Sequence, residues 1–454
     1  MRIRHPIFLS LTAVALAGNA CGGNGAGGTE GFGDDSDAGS SSGSSGSTGS
    51  TSGGRTDAGG MVGSTSSSSS GGASGSGGSS DASASSSGSQ GDSGSSSGGS
   101  DAGSSSGGSS GGSGSSSGSE VDAGSSSDSG SSFDAGPPTI CNFASGLNVA
   151  WVNFADDVPN PNVATFQTIF KNTYAAGGRI ARWWFHTNGT VTPGYDSSGK
   201  ALKLQQSHID GLKSILSAAH AAGVAVNISL WSFDMLQSDA GSAHTNNQAL
   251  LENDTNRQAY IDNYLTPLVT ALKGTPGLYS WEIFNEPEGM GPNGWATYRT
   301  TEAYIQKTVN WFAAAIHTAD PSALVTNASV TFDYCSGASG KNNYYSDSAL
   351  RAAGGKQNGT LDYYEVHYYT SNGASDSCFT HSAASWKLDK KLVMGEFAAQ
   401  ATDGVALNNL YTNLYSSGYD GAWAWSYDAD WPWPAMKVPM QDLYTAHADV
   451  GTCP

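Results

Sequence analysis

The chain has 454 residues, 62 of them glycine, and a formal net charge of −19, yet these averages describe no part of it. Residues 1–139 contain no tryptophan or tyrosine, whereas all 12 tryptophans fall in the remaining 315 residues, so only that second segment can bury a core. Acidic groups exceed basic ones in both segments, 12 against 3 and then 27 against 17, which excludes the clustered Lys and Arg that nucleic-acid binding requires and suits a neutral ligand.

In chain order, Arg2 and Arg4 precede an apolar run from Ile7 to Ala17 and a small-residue stretch that ends before Cys21. This is the layout of an export signal over residues 1–20, and the run is too short to span a bilayer. Gly18-Asn19-Ala20-Cys21 resembles a bacterial lipoprotein cleavage box, with Gly18 where Leu is usual. On that reading Cys21 is lipidated and the chain is held at the outer membrane; cleavage by ordinary signal peptidase at the same place would release it. Residues 21–139 are Ser/Gly-rich with a recurring Asp-Ala-Gly-Ser-Ser-Ser phrase at Asp37, Asp101 and Asp122. Such a segment has almost nothing to bury and reads as a disordered tether, with an end-to-end distance of roughly 55–65 Å for a flexible coil of this length.

Residues 140–454 read as one folded domain. Its four cysteines, Cys141, Cys335, Cys378 and Cys453, form an even set in an exported chain, and two disulfides could join them in three ways. Cys141 with Cys453 would tie the ends of the folded region together, leaving Cys335 with Cys378. No CxxC pair suggests a zinc or redox site, and no nucleotide loop or Ser-His-Asp elbow is present, so no cofactor or metal is expected.

Past Pro138, short and nearly continuous apolar runs alternate with longer amphipathic ones, as in a parallel sheet covered by helices. The predicted strands are Leu147–Phe154, Arg179–Phe185, Val224–Trp231, Leu278–Phe284, Ala323–Ala328, Leu361–Tyr368, Lys391–Phe397 and Gly421–Tyr427. Helices are predicted over Gln205–Ala222, with Gly223 as the C-terminal stop, and over Thr300–His317, with Pro321 beyond its end. Eight such units predict a (β/α)8 TIM barrel, whose site forms where the strand ends converge. A doubly wound open sheet is the competing architecture, but no GxGxxG follows the first strand.

The fourth strand ends in Asn285-Glu286-Pro287, and the seventh in Gly395-Glu396-Phe397. Strands four and seven of a closed barrel face each other, so two carboxylates 110 residues apart are able to meet. Paired carboxylates are the apparatus of glycoside hydrolysis, one protonated and one ionised. Glu282 and Glu365 lie within strand runs and are read as structural carboxylates or extra substrate contacts, outside the catalytic pair. Trp183, Trp184, Trp231, Trp295, Trp431 and Trp433 crowd the predicted mouth, where flat apolar faces suit sugar rings. Strand alternation buries one of Trp183 and Trp184, and sends Trp423 and Trp425 to different surroundings on one face.

On Asn285-Glu286-Pro287, Glu396, Arg182, the His367-Tyr368-Tyr369 run and Trp425, the chain resembles the clan A glycoside hydrolases, most nearly family 5, which holds cellulases and mannanases. The resemblance spans Leu147 to Tyr444. It implies that Glu286 is the general acid/base and Glu396 the nucleophile of a retaining mechanism. It also implies that Asn285 holds the sugar 2-hydroxyl, that Arg182 keeps Glu396 ionised, that His367 and Tyr369 orient the pair, and that Trp425 is the floor under the sugar ring. Many family 5 cellulases carry a His near the end of strand three; Leu230-Trp231-Ser232-Phe233-Asp234 here looks more like the mannanases. The expected activity is endo-β-1,4-mannanase action on mannan, glucomannan or galactomannan of the plant cell wall, by a monomer that meets a membrane only through a lipid anchor. The alternatives are an endo-β-1,4-glucanase with the same machinery and a non-catalytic polysaccharide-binding surface protein.

Overall fold

The structure is a computed structural model that describes residues 142–158, 160–427, 433–447, 449 and 450. The export signal, the Ser/Gly segment, Cys21, Cys141, Trp431 and Cys453 lie outside the described residues.

Eight parallel strands close into a barrel in chain order: β1 (Ala144–Ala150), β2 (Ile180–Thr187), β3 (Ala225–Ser232), β4 (Leu278–Asn285), β5 (Val325–Ser329), β6 (Tyr364–Tyr368), β7 (Leu392–Phe397) and β8 (Gly421–Ala424), with β8 pairing back onto β1. The strands are buried almost throughout, which is why their sequences are continuous apolar runs instead of alternating ones. Around them run α1 (Val163–Ala175), α2 (Gln206–Ala221), α3 (Ala243–Glu252), α4 (Asp254–Tyr260), α5 (Thr266–Leu272), α6 (Glu302–Ala319), α7 (Asp347–Gly354), α8 (Leu410–Ser416) and α9 (Trp433–Ala446).

The two predicted helices are α2 and α6. In α2, Leu212, Ile215, Leu216 and Ala219 form one buried face, and the chain leaves the helix through Gly223 at φ +78, a left-handed turn that favours glycine. Thr301 caps α6 by accepting from the Tyr304 N–H, and Ile305, Val309, Phe312, Ala313 and Ile316 face the barrel.

The barrel interior is layered. At the N-terminal end of the strands Ala144, Ile180, Tyr279, Tyr363, Val393 and Trp423 form a separate buried plug. Trp423 Nε1 donates to Ala144 O at 3.0 Å, so this tryptophan is structural. Trp425, two residues further along, reaches the opposite end, as the shared parity requires.

Two sequence expectations are corrected. The first strand begins at Ala144 and not Leu147, and ends at Ala150, whose φ of +55 turns Trp151 out of the ladder. Cys335 and Cys378 are both free thiols, each fully buried among apolar neighbours, so the expected Cys335–Cys378 disulfide is absent. Pairing by elimination ignored where the two residues fold. Cys335 bridges to Asn343 after β5, whereas Cys378 sits in the loop after β6 beside Asp403.

Candidate active site

Arg182 of β2 is the centre of the polar layer above the plug, and it is fully buried. Its Nε and Nη2 donate to the two oxygens of Glu282, each at 2.6 Å. Nη1 donates to Asn148 Oδ1 at 2.8 Å and to Glu396 Oε1 at 2.6 Å, and Nη2 also donates to Asn285 Oδ1 at 2.7 Å. All five guanidinium N–H groups are therefore committed, to acceptors on β1, β4 and β7. Glu282 further accepts from Asn227 Nδ2 and Ser229 Oγ, both at 2.8 Å. It is saturated, which fits the structural role expected for it.

Regular strands would not bring these groups together. On β4, Glu282 and Asn285 both reach Arg182 although they differ in parity; the register against β5 shifts between them. Glu286 follows in the left-handed region at φ +45, and Pro287 then ends the pairing. On β7, Val393 and Gly395 share the inward parity, but the register against β6 slips between Val366 and His367, so Glu396 stands opposite His367. Each carboxylate is thus aimed by a local irregularity of its ladder, a recurrent use of bulges beside active sites.

His367 Nδ1 lies 2.8 Å from Glu286 Oε1 and 3.6 Å from Glu396 Oε1. The nearest ligating atoms of the three residues all fall within 4.8 Å of one another. That spacing would also admit a cation. However, the permanent charge of Arg182 at 2.6 Å from Glu396 opposes one there. Tyr369 Oη donates to Glu396 Oε2 at 2.8 Å, so both Glu396 oxygens have a donor.

The electrostatics separate the two carboxyls. Burial pushes Glu286 up to about 7; Arg182 pulls it down and Glu282 pushes it up further. Burial raises Glu396 as well, but His367 in its protonated form, Arg182 and the Tyr369 hydrogen bond act against it, while Glu286 adds to it. His367 is itself lowered to about 4, mainly by burial, so the ring is neutral at working pH and Arg182 supplies the standing positive charge. Glu286 takes its partner from a neutral imidazole; Glu396 takes its from a guanidinium and a phenol. Of the two, Glu396 alone accepts directly from a cation and a phenol, which favours its ionised form.

Of the aromatic candidates, Trp184 and Trp425 meet at the mouth, their ring centroids 5.6 Å apart, and Trp151 packs edge-on against both. Trp425 is half-buried, and its peptide bond to Ser426 is cis. Trp183 points the other way, onto Phe166 of α1, as alternation expects. Trp295 is 46% exposed and leans on Phe233, and Trp433 packs on Tyr427. Trp231 is a correction. It is buried between His186 and Tyr260 of α4, in the layer between barrel and helices, and does not reach the mouth. Its register partner on β4 is Phe284, which faces Phe312 of α6, so the bulge that turns Asn285 inward leaves this pair facing outward.

Sequence reasoning assigned no chemical role to three groups near the pair. Asn148 was legible only as the inward-facing residue of β1. Asp234, held by Ser232 Oγ at 2.6 Å, is pushed up to about 7 by burial with Asp239 and Glu286 adding to it. Glu288 accepts from Tyr345 Oη at 2.6 Å, Ser329 Oγ at 3.0 Å and the Val330 N–H at 3.1 Å. It pins the turn that follows Glu286 onto β5.

Comparison with known proteins agrees with this geometry. The model of the cellulase family (glycosyl hydrolase family 5) matches residues 142–430. A mannan endo-1,4-beta-mannosidase from Mytilus edulis is 34% identical over 309 residues, which are 63% of this chain and 83% of that protein. One from Cryptopygus antarcticus is 33% identical over 310 residues, 62% of this chain and 80% of that protein. Among solved structures, the blue mussel beta-mannanase superposes with a TM-score of 0.63 at 32% identity, covering 69% of this chain and 94% of that one. The beta-1,4-mannanase of the sea hare Aplysia kurodai gives 0.62 at 30% identity, covering 69% and 95%.

Proposed function

The chain belongs to glycosyl hydrolase family 5, and on that premise we propose that it is an endo-β-1,4-mannanase that cleaves mannan, glucomannan or galactomannan with retention of configuration. The observation that carries this reading is the pair Glu286 and Glu396, close across the barrel in opposite environments. The mannan-cleaving relatives, at a third identity over most of their length, support the sugar.

In the first step Glu396 attacks the anomeric carbon at the −1 site while protonated Glu286 gives its proton to the departing glycosidic oxygen. In the second, Glu286, now a carboxylate, takes a proton from the water that releases the sugar from Glu396. An oxygen spacing below 5 Å leaves no room for water between carboxylate and sugar carbon, which favours retention; carboxyls of retaining enzymes stand ~5–5.5 Å apart. Arg182 and Tyr369 hold Glu396 in place and ionised. His367 holds the Glu286 carboxyl, accepting its proton's hydrogen bond when it is protonated. Asn285, fixed by Arg182, meets the 2-hydroxyl, and Trp425 supports the ring at the mouth.

The export signal, the anchoring of Cys21 and the Ser/Gly tether complete the proposal: a monomeric bacterial enzyme held on, or released from, the outer surface, where polymeric substrate is found. Cys21→Ser should move the enzyme from membranes to medium if lipid holds it. The activity is tested by reducing-end release from galactomannan and carboxymethylcellulose in parallel, with Glu286→Gln as the blank. Release from galactomannan supports the reading; release from the cellulose derivative alone would make the chain a β-1,4-glucanase. Binding of both polymers without any product would leave a carbohydrate-holding surface protein.

A further inference from the structure

Glu365 of β6 is a carboxyl that the mechanism above does not use, and its position is hard to reconcile with an ordinary carboxylate. It is fully buried, and neither oxygen receives a hydrogen bond. Arg182 Nε is 3.1 Å from Oε1, but that N–H is already given to Glu282 at 2.6 Å, and the other four guanidinium protons are committed elsewhere. The other groups that face it are acidic or phenolic: Glu282 and Tyr279 from β4, Tyr363 from its own approach to β6, and Glu396 from β7. An ionised carboxylate without a donor, set between two others, would carry a desolvation cost that nothing here offsets.

The space it occupies is made for it. A Cβ at Gly395 would stand 2.2 Å from Glu365 Oε1, so the carboxyl lies across the residue that precedes Glu396. Asn148 Nδ2 holds the Gly395 carbonyl from the other side at 2.8 Å. The backbone that presents Glu396 is therefore clamped between Asn148 and Glu365.

We propose that Glu365 is a permanently protonated carboxylic acid and a positioning residue for Glu396: uncharged, it lies beside the Glu282 carboxylate without repelling it, and its side chain braces the strand at Gly395. Neutral, it leaves the charge of Arg182 to Glu282 and Glu396 alone, and so favours the ionised nucleophile. This role rests on the reading of Glu396 as nucleophile; the protonation itself does not.

The test compares full-length wild type, Glu365→Gln and Glu365→Leu. At about pH 9, where carboxyls titrating near 7 are ionised, a difference infrared spectrum between wild type and Glu365→Gln should contain the C=O stretch of a protonated carboxylic acid. Its absence overturns the proposal. Glu365→Gln, a neutral amide of the acid's size, should keep kcat and the acid limb of the pH profile. A fall of that limb would mean that a negative charge had been removed, and would equally overturn it. Glu365→Leu, branched where the flat carboxyl crosses Gly395, should lose about tenfold in kcat with KM little changed, as a displaced reacting group does; wild-type kcat in this variant removes the positioning role. If the leucine variant does not fold, the infrared band and the Gln profile decide. Glu396→Gln is run beside them. Activity surviving in it would refute the nucleophile while the infrared result stands by itself.

Discussion

Replacing Tyr369 by Phe isolates one term of the site's electrostatics. The hydroxyl donates to Glu396 Oε2 at 2.8 Å, while Oε1 keeps Arg182 at 2.6 Å. A hydrogen bond to a charged acceptor contributes about 1.5–3 kcal/mol, and here it exists in full only with the ionised carboxylate. At 1.36 kcal/mol per pKa unit its removal should raise Glu396 by ~1–2 units. As the proposed nucleophile, Glu396 must be ionised in the free enzyme, so the acid limb of kcat/KM moves up in pH by that amount. The alkaline limb belongs to protonated Glu286, raised to about 7, and should stay, because Tyr369 makes no hydrogen bond to Glu286. The profile narrows from its acid side, and its peak falls as the limbs approach. The assay is kcat/KM on a soluble mannan across the pH range for both proteins. A variant that merely disturbed packing would scale the whole curve, so an acid limb within ~0.3 units of wild type would refute the reasoning.

Glu286 should also cost stability. Its folded pKa lies above the unfolded value, so the folded state holds the extra proton between about 4.5 and about 7, and stability contributed by that proton is lost as pH rises through this window. Glu286→Gln should melt a few degrees higher than wild type at pH 8, reflecting up to ~3 kcal/mol, and no higher at pH 4, below the unfolded value. Scanning calorimetry at both values checks this; equal shifts at the two would contradict it. Gly395→Ala should destabilise by about 1–3 kcal/mol through overpacking, and Glu365→Ala made in the same chain should recover part of it, since the new Cβ meets Glu365 Oε1. Additive losses in denaturant titrations would show that the two do not touch. Finally, a thiol reagent should leave Cys335 and Cys378 unmodified in the native protein and alkylate both after denaturation without reductant. A linked Cys335–Cys378 peptide in a non-reducing digest would overturn the assignment.

The barrel was legible because its strands are buried on both faces and read as apolar runs, and because Gly223 and Pro321 mark real helix ends. The proposed catalytic pair was legible for a different reason: polar residues at the ends of β4 and β7 interrupt those runs where a core would not. What periodicity could not show is where a ladder skips. Asn285, Glu286 and Glu396 are aimed by register shifts and a left-handed residue, none of which changes the hydrophobic pattern. Trp231 was misplaced for the same reason, since its strand parity points inward until the bulge beside Phe284 is known. The reach of the cysteines, set by loops after β5 and β6, has no sequence signature at all. Glu365 was visible as a carboxyl inside a strand, but only the exhaustion of Arg182's five donors shows what state it must take.

That exhaustion has a bearing on what the enzyme will hold most tightly. With Glu286 and Glu365 protonated, the floor contains one guanidinium against two ionised carboxylates, Glu282 and Glu396, and so carries one unbalanced negative charge. A neutral mannose unit does not match it; a ring acquiring positive charge at its anomeric carbon does. The resting pocket is electrically a mould of the oxocarbenium ion. Small amines and imino-sugars should accordingly compete out of proportion to their size, and amine buffers are a poor choice for measuring this enzyme.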